Sequence, residues 1–193
     1  MATESNLKQS KNAFKVVGKV SRIDREGAYR QATTESGKMK DKDYRALRFG
    51  VKTSETNEIT VEMFDYQPEE IFMWNSELKK QDGNYKGTRV PFEEWEERQD
   101  ELREEGYAVL QTRVGLTTGE DGKIVSQGLP SFVASKLIAE GLHNGDSVVV
   151  EGEIRYSKYT DRNDKVQERK TYTIKKVFKI KDIDFEDAKF EEI

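Results

Sequence analysis

Five stretches of this chain alternate apolar and polar residues with a period of two, and that pattern restricts its fold more than any other feature. In the first, Phe14, Val16, Gly18 and Val20 fall on one side, with Lys15, Lys19 and Ser21 on the other. The second sets Leu47, Phe49 and Val51 against Tyr44, Ala46 and Arg48, and the third runs through Ile59, Val61 and Met63. The fourth covers Ser147 to Tyr156, with Val148, Val150, Gly152 and Ile154 inward, and the last covers Thr171 to Ile180. Alternation of this kind matches a strand with one buried face. A short amphipathic helix is predicted from Ser131 to about Leu142, with Phe132, Leu137 and Ile138 inward. Five short strands with one helix between the third and fourth is the element order of an OB-fold, a small Greek-key barrel. The expected class is therefore all-β with minor α, a five-stranded OB-fold barrel. Its core should hold Val16, Val20, Leu47, Phe49, Val61, Val148, Val150, Ile154 and Ile174.

Between the third strand and the helix lies a segment of different character. Residues 65–128 are acidic and broken by Pro68, Gly83, Gly87 and Pro91. Pro91 to Glu105 reads as a helix, with proline in the first turn, acids early and Gly106 as the stop. Phe92, Trp95 and Leu102 give it one narrow apolar stripe. Val109 to Leu116 and Lys123 to Val125, around Gly119-Glu120-Asp121-Gly122, read as a β-hairpin. The expectation is one domain over residues 1–181 with an insertion at 65–128 between strands three and four. An acidic tail follows at 182–193.

The net charge of −4 hides strong segregation. Residues 1–52 carry 13 basic against 6 acidic side chains, and residues 53–151 carry 9 against 21. Residues 152–181 return to 10 against 4, and residues 182–193 fall to 1 against 6. Two basic segments brought onto one surface would suit a polyanion. With 34% hydrophobic and 36% charged residues, much of the 193-residue length must be loop, exposed helix or tail. There is no cysteine, hence no disulfide and no thiolate metal site. No apolar run approaches 18 residues and no signal-like segment follows Met1, so the expectation is a cytoplasmic protein without membrane contact.

In an OB-fold the loops joining strands 1–2 and 4–5 flank the binding groove. Here those are residues 24–43 and 157–170, read as an extended polar loop and a basic loop, and both are rich in Lys and Arg. Lysine and arginine neutralise phosphates, while aromatic rings offer flat faces on which unpaired bases stack. The first loop contributes Arg25, Tyr29, Arg30 and Lys42, and strand one contributes Lys19. Strands two and three present Tyr44, Arg48 and Phe64 outward. The second loop and its edges add Tyr156, Lys158, Tyr159, Arg162, Arg169, Lys170 and Tyr172. These are the candidate nucleic-acid-binding residues, with Tyr44, Phe64, Tyr156 and Tyr159 expected to stack and Arg48, Lys158 and Arg169 expected to meet phosphates.

The run Leu142-His143-Asn144-Gly145-Asp146-Ser147-Val148-Val149-Val150-Glu151-Gly152-Glu153-Ile154-Arg155, followed by Tyr159-Thr160-Asp161 and Asp164-Lys165, resembles bacterial and phage single-stranded DNA-binding proteins (SSBs). It is similar to their fourth strand and hairpin. Val16-Val17-Gly18-Lys19-Val20 is similar to the first strand of that family, and Val61-Glu62-Met63-Phe64 to the third. The resemblance implies sequence-tolerant binding of single-stranded DNA, protecting and organising it for replication or recombination, in a divergent phage- or mobile-element-encoded member. It also implies that an acidic tip recruits replication or recombination proteins and competes with DNA, which falls here on Asp184, Phe185, Phe190 and Ile193. Assembly into a homo-oligomer is compatible with it. The chain departs from the family pattern by its insertion, by Asn163-Asp164 where a hairpin glycine is usual, and by the lack of a Gly/Gln/Pro-rich linker before the tail.

Nothing in the sequence composes a catalytic centre, and no cofactor or metal is expected. The single histidine, His143, sits in an Asn-Gly turn, and the run Glu93, Glu94, Glu96, Glu97 is the wet face of a helix. Two alternatives to single-stranded DNA remain: an RNA-binding OB module, and a phage-type inhibitor. The inhibitor would act through the acidic insertion, with Phe72, Trp74, Phe92 and Trp95 as anchors.

Overall fold

The computed structural model describes residues 12–120, 122–160 and 164–186. The chain is mostly β, with minor α, and compatible with an OB-like fold. Its main sheet begins with β1 (Ala13–Ser21), β2 (Tyr29–Thr33), β3 (Asp43–Lys52) and β4 (Glu58–Tyr66). A second, three-stranded sheet is built from β5 (Glu70–Asn75), β6 (Thr88–Pro91) and β7 (Tyr107–Val109). Its helices are α1 (Ser76–Gln81) and α2 (Phe92–Glu104). The chain then returns to the main sheet through β8 (Thr112–Thr118), β9 (Ile124–Leu129), α3 (Ser131–Gly141), β10 (Ser147–Thr160) and β11 (Val166–Lys179).

The main sheet has eight strands in the order β10-β1-β3-β4-β11-β8-β9, with β2 on the free edge of β3. Because β10 also pairs with β11, five of these strands form a closed circuit. All its pairings are antiparallel except β4 with β11, which run parallel through Tyr172↔Val61 and Thr173↔Glu62. The interior is filled by the residues that alternation turns inward. Leu47, Phe49, Val51, Val61, Val148, Val150 and Ile174 are all at most 1% exposed. Ile154 is only half-buried, because β10 has by then begun to project beyond the core.

Helix α3 closes the barrel with Phe132, Ala134 and Ile138, following Pro130, whose fixed φ of −57° suits a helix start. Helix α2 covers the small sheet with Phe92, Trp95 and Leu102 and stops at Gly106, whose φ of +89° favours glycine. The small sheet has no separate core: Ile71, Met73, Val90 and Val109 belong to the same buried cluster as the barrel residues. Asn75, 4% exposed, ties it together. Its Oδ1 accepts from the amides of Glu77 and Leu78 to cap α1, and its Nδ2 donates to the Glu105 carbonyl at the end of α2.

Two expectations need correction. The stretch 24–43 is not loop throughout. Tyr29–Thr33 is a strand hydrogen-bonded to β3, and its mixed composition hid it because backbone pairing rather than apolar burial holds it. The basic stretch 157–170 is likewise not a loop. Strands β10 and β11 are fourteen residues each and stay paired out to Thr160↔Val166, forming a long ribbon. The first residues of the acidic tail are tied to the barrel. Ile183, 9% exposed, donates its amide to Ser147 Oγ, which itself donates to Asp182 Oδ1 at 3.0 Å. Asp182 also lies 3.2 Å from Lys19 Nζ, and the Phe185 ring is 5.9 Å from the same ammonium.

This clip makes the tail pH-sensitive. Its hydrogen bond from Ser147, with the Lys19 contact second, holds the Asp182 carboxyl below its ordinary pKa of 3.8. A carboxylate whose pKa is depressed on folding contributes stability above its unfolded pKa and loses it as pH falls through the folded one. The clip should therefore be intact at neutral pH, begin to weaken near the ordinary carboxylate pKa of about 4, and open only as pH falls through the lower folded-state value. The Ile183 amide NMR shift should move in that window, and Asp182→Asn should remove the transition; a shift unmoved by acid in the wild-type chain would refute the clip.

Candidate nucleic-acid interface

The outward positions of β3 and β4 face each other in register. Tyr44 lies opposite Tyr66, Ala46 opposite Phe64 and Arg48 opposite Glu62. Opposed residues in an antiparallel pair share one face, so the aromatics gather into a patch. Tyr44 and Phe64 have ring centroids 5.3 Å apart at an interplanar angle of 32°. Phe64 meets Tyr66 edge-on at 5.2 Å, and Tyr44 and Tyr66 are 6.3 Å apart. Phe64 is 54% exposed, which is unusual for a phenylalanine on a well-packed barrel.

Cations border this patch. On β2, Arg30 stands opposite Ala46, and its guanidinium lies 5.8 Å from the Tyr44 ring. At the other side Arg169 Nη2 donates to both carboxylate oxygens of Glu62 at 2.8 Å, and Arg48 Nε lies 3.8 Å from the same carboxylate. One acid thus holds two guanidinium groups side by side at the patch rim. The short charge-assisted bonds are directional, so Glu62 orients Arg169, while Arg48 is held nearby by charge alone.

The other candidates are distributed differently. Along the ribbon, alternation puts Tyr156, Lys158 and Lys170 on one face and Tyr159 and Arg169 on the other. Tyr156 and Tyr159 are 65% and 54% exposed, and Lys158 pairs with Glu168 at 3.2 Å. Tyr172 is not a surface stacker. It is half-buried against the Phe14 edge at 5.2 Å, with the Lys170 ammonium 4.8 Å from its ring. Tyr29 lies opposite Leu47, on the inward side, where burial raises its phenol pKa. Lys19 sits with the tail clip, and Lys42 is ion-paired to Glu69. Arg25 is exposed in the turn before β2. Arg162, Phe190 and Ile193 lie outside the described residues, and Asp184 accepts from the amide of Glu186.

The structure therefore brings Arg30, Tyr44, Arg48, Phe64 and Arg169 onto one face, and it adds Tyr66, which sequence reading missed. The signal was present: Tyr66 follows Phe64 by two residues and so shares its face. It was lost by ending the strand where the acidic composition begins. Of the proposed protein-docking anchors, Phe92 and Trp95 are 5% and 3% exposed and belong to the core.

His143 takes a turn role. The Asn144 amide donates to Asp24 Oδ2 at 2.8 Å, His143 Nδ1 lies 3.3 Å from Asp24 Oδ1, and Asn144 Oδ1 accepts from the Ile23 amide. The backbone bond from Asn144 holds the Asp24 carboxyl below its usual pKa. Among the described residues no group of three or more His, Asp or Glu could hold a metal, and no helix is long and apolar enough to cross a membrane. A cleft of about 810 Å³ opens between α2, β7 and β8, floored by Trp95 and Leu102, and it shares no lining residue with the aromatic patch.

The profile of the YorF family matches residues 84–193, more than half of the chain. The chain belongs to the YorF family. The YorF match takes in α2, the β8–β9 hairpin, α3 and the ribbon, whereas the aromatic patch of β3 and β4 lies outside it. No curated protein matches the chain. Among solved structures, one similar to it is a Plasmodium falciparum SSB in complex with ssDNA. It has a TM-score of 0.34 and 9% identity, over 90% of this chain and 98% of that one. The functional reading rests on the residues of this chain alone.

Proposed function

We infer that this chain binds single-stranded DNA with little sequence preference, through an OB-type barrel. The strand circuit β1-β3-β4-β11-β10 supports the OB reading, since it places the chain's first, second, third, fifth and fourth long barrel strands in that cyclic order. The observation that carries the function is the Tyr44–Phe64–Tyr66 patch, with Phe64 exposed between two half-buried tyrosines and Arg30, Arg48 and Arg169 around it. Flat rings meet bases of any identity and guanidinium groups meet phosphates, so such a face tracks a strand without reading base edges. The exposed ribbon extends the path with Tyr159 on the same face as Arg169. In this reading the protein is a binder and not an enzyme. It would protect single strands during replication or recombination, with residues 182–193 as the contact for protein partners.

Fluorescence anisotropy with labelled oligo-dT, oligo-rU and duplex DNA tests this. Oligo-dT should bind more tightly than duplex. For about three phosphates neutralised, log K against log salt should slope at about −2, which is roughly a fifteenfold loss between 50 and 200 mM salt. The Glu62 pairing makes that an upper bound, since Arg48 and Arg169 exchange a carboxylate for a phosphate rather than shedding only solvent ions. Equal affinity for duplex, or affinity indifferent to salt, would count against the reading, and tighter binding of oligo-rU would move it to RNA.

A further inference from the structure

The outer face of the small sheet carries aromatic rings with cations laid over them. On β5, Phe72 and Trp74 alternate with the buried Ile71, Met73 and Asn75, so both point away from the shared core. Phe72 is 37% exposed and lies directly across from Arg89 on β6, whose guanidinium is 5.9 Å from its ring. Trp74 lies against Tyr85 with centroids 5.4 Å apart, and the Lys79 ammonium is 6.0 Å from the indole.

The arrangement is held in place from beneath. Lys79 Nζ donates to the carbonyls of Gly83 and Tyr85, which fixes it beside Trp74. Gly87, at φ +99°, runs so close to Phe72 that a Cβ there would lie 2.2 Å from the ring. Arg89 is also 3.6 Å from Glu70, yet its side chain stays 68% exposed. Residues 79–89 hold Lys79, Lys80, Lys86 and Arg89 against one acid, Asp82, inside a segment that is strongly acidic as a whole. Averaging over the insertion had concealed this basic, aromatic block.

We propose that this face is a second platform for single-stranded nucleic acid, which rests on the function inferred above. Rings in a row with cations beside them complement a ligand that alternates flat bases with phosphates. The position fits as well. Tyr66 ends β4, and Phe72 is six residues further on, so no more than about 20 Å of chain separates the two aromatic sets. In this proposal one strand leaving the Tyr44–Phe64–Tyr66 patch runs on to Phe72 and Trp74.

The chain has two tryptophans, and Trp95 is 3% exposed, so a change in emission on binding reports Trp74. Saturating long oligo-dT should quench that emission, and Trp74→Phe should abolish the quench while DNA still binds. Phe72→Ala combined with Arg89→Ala should weaken a long oligo-dT about 5- to 30-fold and leave unchanged a short one that spans only the barrel patch. If labelled oligo-dT fails to bind the full chain at all, the function itself is wrong and the platform falls with it. If oligo-dT binds, but emission stays constant and the double variant matches wild type at both lengths, only the platform is overturned. The face would then be open to a protein partner.

Discussion

Replacing Phe64 with alanine is expected to weaken binding of single-stranded DNA by about 5- to 150-fold, from the usual 1–3 kcal/mol for a base stacked on an aromatic ring. The ring is 54% exposed and sits at the centre of the patch, with Tyr44 at 5.3 Å and Tyr66 at 5.2 Å. It contributes little to the barrel core, so folding should lose only about 1–3 kcal/mol, from those two ring contacts at about 0.5–1.5 kcal/mol each. A urea melt beside the anisotropy titration separates the two effects. Phe64→Leu sharpens the result, because it keeps apolar area and loses the flat face. Leucine should bind almost as poorly as alanine if stacking is the cause. Wild-type affinity in the alanine variant would remove the patch from the DNA path.

Gly152→Ala should be strongly destabilising, as a methyl at Gly18 or Gly128 would be, since all three press against a backbone carbonyl. At Gly152 the Cβ would lie 1.9 Å from the carbonyl oxygen of Thr173 and 2.8 Å from the Phe14 ring. The first neighbour is backbone in the strand that closes the barrel, so it cannot swing away as a side chain would. The β10–β11 register also shifts between Glu151 and Gly152, and the added carbon would force that irregularity open. A loss of at least about 3 kcal/mol is expected, above the usual range for overpacking, which is a fall in Tm of about 6–12 °C for a chain of this size. Gly83→Ala is the control, since nothing lies within 4 Å of its Cβ and its φ is ordinary. It should melt like wild type. Equal melting of the Gly152 variant would mean that the two strands have more room than their register implies.

The barrel was legible because its interior depends on side-chain period. Val16, Val20, Leu47, Phe49, Val61, Val148, Val150 and Ile174 could be assigned inward from alternation alone, and all are buried. What escaped was structure held by backbone hydrogen bonds. Tyr29–Thr33 pairs with β3 and buries almost nothing, and the outer ribbon is paired but has no core beneath it, so neither leaves a mark in hydrophobicity. The small sheet was missed for a different reason. Its strands are three to six residues long, and Glu70, Arg89 and the acids of α2 mask the buried Ile71, Met73 and Val90.

The candidate site followed the same division. Tyr44, Arg48 and Phe64 were readable as the outward partners of a well-defined inward set. Tyr29 and Tyr172 were misplaced, because aromatic residues in a basic stretch were assigned to the surface before the pairing that turns them inward was known. The role of Glu62 was not readable at all. It depends on the parallel pairing of β4 and β11, which sets Arg169 beside a carboxylate 107 residues away in sequence.

The closed strand circuit also dictates the order in which this protein can acquire its structure. Strand β1 makes its longest ladder with β10, whose first residue is more than 120 positions further along the chain. Contacts of such large sequence separation carry a high loop-closure cost and slow the search for the native state. During synthesis, β1, β3 and β4 can form a meander, but its β1 edge stays uncovered until β10 emerges, at about three-quarters of the chain, and its β4 edge until Tyr172 and Thr173 of β11 emerge, at about nine-tenths. The interval is one in which unpaired edges invite association with other chains. A chaperone, or the early burial offered by the small sheet and α2, would matter most in that window.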